Sequence, residues 1–377
     1  MTDNNENKVL NVPHLRFPEF SGEWKKCKLG DLCNVLMCKR ILVSQTNTED
    51  GVPFYKIGTI GSTPDAYISK ELFDDYKVKY NYPRKGEVMI TCAGTVGKCV
   101  VYDGEDAYFQ DSNIVWIDNP TQYISNGFLF HLLSKVDWRK LNSTTIIRIY
   151  NDDLRNLKMS YPRKEEQQKI SHLLSLLDEC IATQNKIIED LKKLKSAISE
   201  RLFNAIKGDV VVLEDIGDVV KGKQINGEFL SESGKYYVMN GGIEPSGFYN
   251  DYNVEANTIS ISEGGNSCGY VQFNACPFWS GGHCYTIQNT TDNVKTEYLY
   301  QFLKSKESEI MKLRIGSGLP NIQKKDLAKF KITIPNISEQ KVISAFLSSF
   351  ERKADVEMNF VNLLLEEKQY LLRQMFI

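Results

Sequence analysis

Several resources are scarce in this 377-residue chain. No apolar run reaches the about 18 residues that a bilayer-spanning helix needs, and the opening MTDNNENK is polar rather than signal-like, which predicts a soluble chain that stays in the cytoplasm. The nine cysteines (27, 33, 38, 92, 99, 180, 268, 276 and 284) include no CxxC pair and none at zinc-finger spacing from a histidine, so they read as free thiols in a reducing compartment, with no metal site. The four histidines, His14, His131, His172 and His283, are dispersed with none paired four apart, which leaves little basis for metal or acid-base use.

A basic excess is missing too. Lys and Arg total 46 against 48 Asp and Glu, a net charge of -2, where a nucleic-acid binder usually shows a basic surface. Residues 25–160 hold 18 basic against 16 acidic side chains, and residues 209–334 hold 12 against 15. Any basic surface must therefore be assembled by folding.

Catalytic motifs fail on inspection. Asp118-Asn119-Pro120-Thr121-Gln122-Tyr123 has a threonine where an amino-methyltransferase turn wants a second proline. Gly94-Thr95-Val96-Gly97-Lys98 imitates the end of a phosphate loop, but Cys92 stands at the first glycine and Cys99 at the magnesium-holding hydroxyl. Pro64-Asp65 with Asp75-Tyr76-Lys77 echoes a nuclease metal site, yet the stretch is polar and short-spaced and reads as a plain loop.

What the chain does have is an internal repeat, the feature that fixes an architecture before any motif. Asp153-Leu154, Pro162 and Glu166-Gln167 recur as Asp326-Leu327, Pro335 and Glu339-Gln340, each displaced by 173 residues without a gap. Upstream the copies match more loosely: Leu29-Gly30-Asp31-Leu32 resembles Leu213-Glu214-Asp215-Ile216, and Phe128-Leu129-Phe130 resembles Tyr298-Leu299-Tyr300. The order is globule, helix, globule, helix. The expected boundaries are an N-terminal segment (1–20), a first domain (21–162), a long helix (163–208), a second domain (209–335) and a second long helix (336–377).

Within the helices, Ile170, Leu174, Leu177, Ile181, Ile188, Leu191, Ile198 and Leu202 advance in alternating steps of four and three, the spacing of a coiled-coil seam. Their counterparts Ile343, Leu347, Phe350, Val361, Leu364, Leu371 and Met375 repeat it. Gln184 and Lys195 interrupt the first seam, and Glu357 and Lys368 interrupt the second at the same offsets. A lone helix cannot hide such a stripe, so each needs a partner. The tethered copy has the entropic advantage over a second molecule. Antiparallel pairing about an internal pseudo-twofold puts Lys195 near Glu351 and Asp178 near Lys368.

In the globules, Val88–Thr91, Lys98–Tyr102, Ile114–Ile117, Thr258–Ile261 and Tyr270–Phe273 read as strands, separated by glycine clusters. In or beside those loops stand Lys39, Arg40, Lys56, Arg84, Lys85, Lys98 and Arg148, then Lys221, Lys223, Gln224, Asn226, Asn240, Asn266, Arg314 and Asn321. Arg, Lys, Asn and Gln are the side chains that reach phosphates and base edges. Each alone is ordinary solvated surface; as a set on two repeated platforms they point to DNA. A coiled-coil scaffold without DNA contact is the rival reading.

The two helix entries, Tyr161-Pro162-Arg163-Lys164-Glu165-Glu166-Gln167 and Ile334-Pro335-Asn336-Ile337-Ser338-Glu339-Gln340, together with Val12-Pro13-His14-Leu15-Arg16-Phe17-Pro18, Trp24 and Ser317-Gly318-Leu319-Pro320-Asn321-Ile322, resemble the specificity subunit of type I restriction-modification enzymes over nearly the whole chain. That resemblance implies an α+β fold in which two target-recognition domains read the halves of a split double-stranded DNA sequence. It also implies two antiparallel helices that space the domains and dock two methyltransferase subunits. The partners, including motor-nuclease restriction subunits, would bring S-adenosylmethionine, ATP and magnesium; this chain would bind no cofactor and carry no catalytic site. A helix of about 38 residues, about 57 Å long, matches about 17 base pairs.

Overall fold

The computed structural model describes residues 10–140, 148–316, 318 and 320–377. The polar opening at 1–9 and, within the Ser317–Ile322 motif, Ser317 and Leu319 lie outside the described residues. The chain forms two compact units, residues 1–183 with 361–377, and residues 184–360. This division cuts across both long helices. Residues 10–20 belong to the first unit.

The first unit runs β1 (Lys25–Lys28), β2 (Asn34–Leu36), β3 (Thr46–Asn47), β4 (Val52–Tyr55), β5 (Tyr67–Ile68), α1 (Lys70–Lys79), β6 (Val88–Thr91), β7 (Cys99–Val101), β8 (Tyr108–Phe109), β9 (Ile114–Asp118), α2 (Asn126–Lys135), α3 (Asn151–Arg155) and β10 (Lys158–Tyr161), then enters α4 (Lys164–Ala205). The second has β11 (Asp209–Val212), β12 (Asp218–Lys221), β13 (Tyr236–Met239), β14 (Phe248–Tyr249), β15 (Thr258–Ser262), β16 (Val271–Asn274), β17 (Trp279–Ser280), β18 (Cys284–Gln288), α5 (Thr296–Ser305), α6 (Glu307–Met311), α7 (Lys324–Ala328) and β19 (Lys331–Ile334), then enters α8 (Ile337–Met375). The five strands expected from alternation and β-branching are β6, β7, β9, β15 and β16.

The two units share a topology. A four-stranded antiparallel sheet has the order β2-β9-β6-β7 in one and β12-β18-β15-β16 in the other. A smaller sheet contains a parallel pair, β4 with β8 and β13 with β17. A two-stranded ribbon, β1 with β10 or β11 with β19, leads into each long helix.

Strand alternation divides the first unit's interior in two. Val88, Ile90, Val115 and Ile117 face a core shared with α2 and the long helices, while Met89, Ile114 and Trp116 face a second core with Phe54, Phe73 and Tyr108. Both faces are covered, which is why β6 and β9 read as unbroken apolar runs.

The stretch read as a plain loop around Asp75 is instead part of α1. The Ser69 side chain caps it by accepting from Leu72 N, and the fully buried Phe73 anchors it. Leu72 and Tyr76 pack beside Phe73, while Val78 stands exposed among the charges, so no clean amphipathic period marked the helix.

Each globule is fastened to its long helix by a buried glutamine. Gln167 Oε1 accepts from Ser125 N at 2.7 Å, and its amide donates to the carbonyls of Tyr123 and Pro162, both at 2.9 Å. Gln340 repeats this with Lys295 N, Asn293 O and Pro335 O at 2.8, 2.8 and 2.9 Å. Both are fully buried, and each satisfies three backbone groups of the turn that leads into its helix.

All the seam residues are buried or half-buried. In the first unit Ile170, Leu174 and Leu177 join a core with Leu371 and Met375, and the Lys368 ammonium pairs with Asp178. In the second, Gln184 bonds Glu357 at 2.9 Å and Lys195 bonds Glu351 at 2.7 Å. Rising numbers on α4 meet falling numbers on α8, so the helices are antiparallel within that unit; the seam positions Gln184 and Glu357 bond each other, while Lys195 reaches Glu351 beside the seam.

Candidate DNA interface

In the first unit the functional candidates gather where β4, β6 and β8 end and β9 begins. Gln110 N donates to Tyr55 O and Ile114 N to Gln110 O, which brings the loops together. Arg40 pairs with Asp111 at 2.8 Å and Lys56 with Asp65 at 2.9 Å. Both bases line a cleft of about 280 Å³ together with Gln110 and Asn113. Lys98 donates to Ile60 O at 2.5 Å, and Arg148 donates to Ser112 O at 3.3 Å. Lys39 turns its ammonium over the Tyr80 ring, 5.5 Å from the centroid.

Arg84 and Lys85 are not part of this group. They precede β6 at its other end, where Arg84 pairs with Glu87 and with Asp118 at the end of β9, and the Lys85 stem lies along Gly104. Sequence proximity to a glycine loop did not distinguish the two ends of a strand.

The second unit gathers its candidates at the equivalent edge, where β12 and β15 end and β18 begins. Lys221 bonds Glu263 at 2.6 Å. Lys223 is held through its backbone, its N donating to Ser280 O and its carbonyl accepting from Trp279 Nε1 at 2.9 Å. Gln224 lies against Gly282, and Asn240 Oδ1 accepts from His283 N at 3.2 Å. The Asn321 backbone bridges to Gly264 and Ile315, which places it beside Arg314 and next to the turn bearing the exposed Asn266. Asn226 instead caps the short turn Gly227–Phe229, with its amide bonded to Glu228.

The two edges close in the same way. Cys92 N donates to Asn113 O and Ile149 N to Cys92 O; in the other unit Glu263 N donates to His283 O and Ile322 N to Glu263 O. The model for the type I restriction modification DNA specificity domain matches residues 21–193 and 207–364, once for each copy. The chain belongs to this family.

The family's members include similar chains of known name. A putative type I restriction enzyme specificity subunit from Haemophilus influenzae is 46% identical over 184 residues, 49% of this chain and 45% of that protein, so the match spans less than half of the relative's length. A putative type I restriction enzyme MjaX specificity subunit from Methanocaldococcus jannaschii is 22% identical over 93% of this chain and 92% of its own. Among solved structures, a type I restriction-modification system S subunit from M. genitalium shares the fold with a TM-score of 0.65 at 19% identity, covering 97% of this chain and 99% of that one.

Among the described residues no three His, Cys, Asp or Glu side chains are grouped to bind an ion. All nine cysteines are free thiols, and burial pushes the Cys92 thiol up to about 12, which favours its neutral form. No described helix is long and apolar enough to cross a membrane.

Three residues of the two edges escaped the sequence reading. Arg139 lines a cleft of about 360 Å³ with Lys98 and the Gly94–Gly97 loop. Glu263 and His283 flank Gly264-Gly265 and Gly281-Gly282, and that adjacency to glycine was the available signal.

Proposed function

We propose that this chain is the DNA sequence-recognition subunit of a type I restriction-modification complex, reading a split target with one half-site per unit. The observation that carries the reading is the repeated sheet edge: one topology, built twice, presents basic and amide side chains from the same strand ends. In the first unit these are Arg40, Lys56, Lys98 and Arg148; in the second, Lys221, Lys223, Gln224, Asn240 and Asn321. Phosphate contacts would supply most of the affinity and base-edge contacts the specificity.

The chain on this reading is non-catalytic, works in the cytoplasm and binds no cofactor. Methyltransferase subunits, two per chain, and restriction subunits bring S-adenosylmethionine, ATP and magnesium. Support for docked partners comes from α8, where Val342, Val356 and Leu363 are 69%, 60% and 62% exposed, more apolar side chain than a solvated helix carries without cover. The 42 residues of α4 make about 63 Å of helix, the length of about 18 base pairs, room for two half-sites and an unread spacer.

The test is to express the chain with its cognate methyltransferase subunits in a host lacking both and to map methylated adenines across the genome. A two-part motif that vanishes when this chain is omitted is the expected result. Methylation that persists without it assigns the chain to scaffolding, and methylation by this chain alone overturns the non-catalytic reading.

A further inference from the structure

Resting on the reading of the second unit as a recognition domain, one side chain at its edge has a buried carboxylate oxygen that its structural partners leave unmet. Glu263 follows β15 and is 7% exposed. Its Oε1 accepts from Lys221 Nζ at 2.6 Å and from the Tyr285 hydroxyl at 3.0 Å. Its Oε2 is buried without a hydrogen-bond partner among the described residues. A buried carboxylate oxygen left unmet is costly, and each such group in a folded protein calls for a specific reason.

The fold itself does not call for the acid. At the same point of the first unit, after β6 and with the same two backbone bonds, stands Cys92, a neutral thiol 1% exposed. The strand end closes equally well without a charge.

The side chain beside the unmet oxygen is His283. Its Nδ1 stands 3.7 Å from Glu263 Oε2, and its ring is 65% exposed. The backbone of His283 is fixed from two sides, its N donating to Asn240 Oδ1 at 3.2 Å and its carbonyl accepting from Glu263 N at 2.9 Å. Gly241, at φ +86°, packs flush against it, where a Cβ would meet His283 O at 2.7 Å. The imidazole therefore leaves a fixed backbone into solvent, beside Asn240 and beside the Glu263 carboxylate that holds Lys221. A small rotation closes Nδ1–H onto Oε2, and Nε2 then faces outward as a fixed hydrogen-bonding atom.

We infer that Glu263 and His283 form a base-reading pair in the second recognition domain: the buried carboxylate orients the imidazole through Nδ1, and Nε2 contacts one base edge of that half-site. Glu263 is the positioning residue and His283 the contact. A histidine contact to a base edge discriminates by the hydrogen-bond pattern that the major groove presents.

The test uses the full chain with its methyltransferase partners and reads the methylated motif by genome-wide mapping. His283→Ala is expected to relax one position of one half-site, with the other half unchanged, which also shows that the chain is folded. Glu263→Gln, which keeps shape and Tyr285's bond but removes the charge that holds Nδ1 and pairs with Lys221, is expected to relax the same position, lowering its selectivity about tenfold. A His283→Ala motif identical to wild type overturns the inference, as does uniformly reduced methylation with an unchanged motif, the mark of a phosphate contact. Should the wild-type chain direct no split motif at all, it is the recognition-subunit reading that fails.

Discussion

The two units are the same frame carrying different chemistry, and the places where they differ are not random. At the helix entry they agree to the atom: Gln167 and Gln340 each hold one backbone N–H and two carbonyls of their own globule. One residue earlier they diverge. Glu166 is buried, bonded by Arg16 Nε and Nη2 at 2.7 Å and by Trp24 Nε1 at 3.2 Å, whereas Glu339 is exposed. At the loop edge Cys92 of the first unit holds the position that Glu263 holds in the second. Conformity marks what the architecture needs, and divergence marks either a local addition or a reading surface.

The largest expected effect tests the conformity. Gln167→Leu strands three backbone groups at about 1–3 kcal/mol each, so a loss of about 4 kcal/mol is expected from denaturation of the full chain with segment-resolved hydrogen exchange. Gln340→Leu should cost the same within about 1 kcal/mol. A clear inequality would break the equivalence of the two clamps.

Next comes the divergence beside it. Glu166→Ala leaves Arg16, 16% exposed, without its counter-charge, and breaking such a pair costs about 3 kcal/mol. Glu339→Ala, at a solvated position, should change stability by less than about 0.5 kcal/mol. Equal costs would mean that the N-terminal segment does not staple the first unit.

A pH difference follows from another equivalent pair. His131, fully buried on α2 with Nε2 3.4 Å from Ser175 Oγ, corresponds to Gln301, which lies 3.3 Å from Ser348 Oγ. Burial, foremost, holds the His131 imidazole down from 6.5 to about 4. The unfolded chain therefore takes up this proton first as pH falls. The first unit's stability is intact above pH 6.5 and declines toward pH 4, by about 3 kcal/mol at 1.36 kcal/mol per unit. His131→Gln should remove that component of the acid profile, and the second unit should show none from Gln301.

The smallest effects are on DNA. Arg40→Ala and Lys223→Ala should each weaken binding by about 1 kcal/mol and make it less salt-dependent. An unchanged salt slope in either takes that residue off the interface.

Much of the frame was legible because it is written locally. The repeat, the helix spans and the partners of Lys195 and Asp178 followed from spacing alone, since a seam with fixed period and a tethered copy allows few registers. The smaller sheets were not legible. Their strands are two to four residues long, too short for a period, and the parallel pairing of Phe54 with Tyr108 joins residues far apart in sequence. The edge was half legible: glycine clusters located it, but whether Arg84 or Arg148 shares an end with Arg40 depends on strand direction. Glu263 and His283 meet only through the pairing of β15 with β18, which no local pattern announces.

The central claim, one frame reading two half-sites, is tested most directly by mapping the methylation motif for two double variants, Arg40→Ala with Lys56→Ala and Lys221→Ala with Lys223→Ala, each in the complete complex. The account predicts that each pair degrades recognition of one half of the motif, a different half in each case, while the other half and the spacing between them stay as in wild type. Both pairs affecting the same half, or neither changing the motif while methylation proceeds, would contradict it.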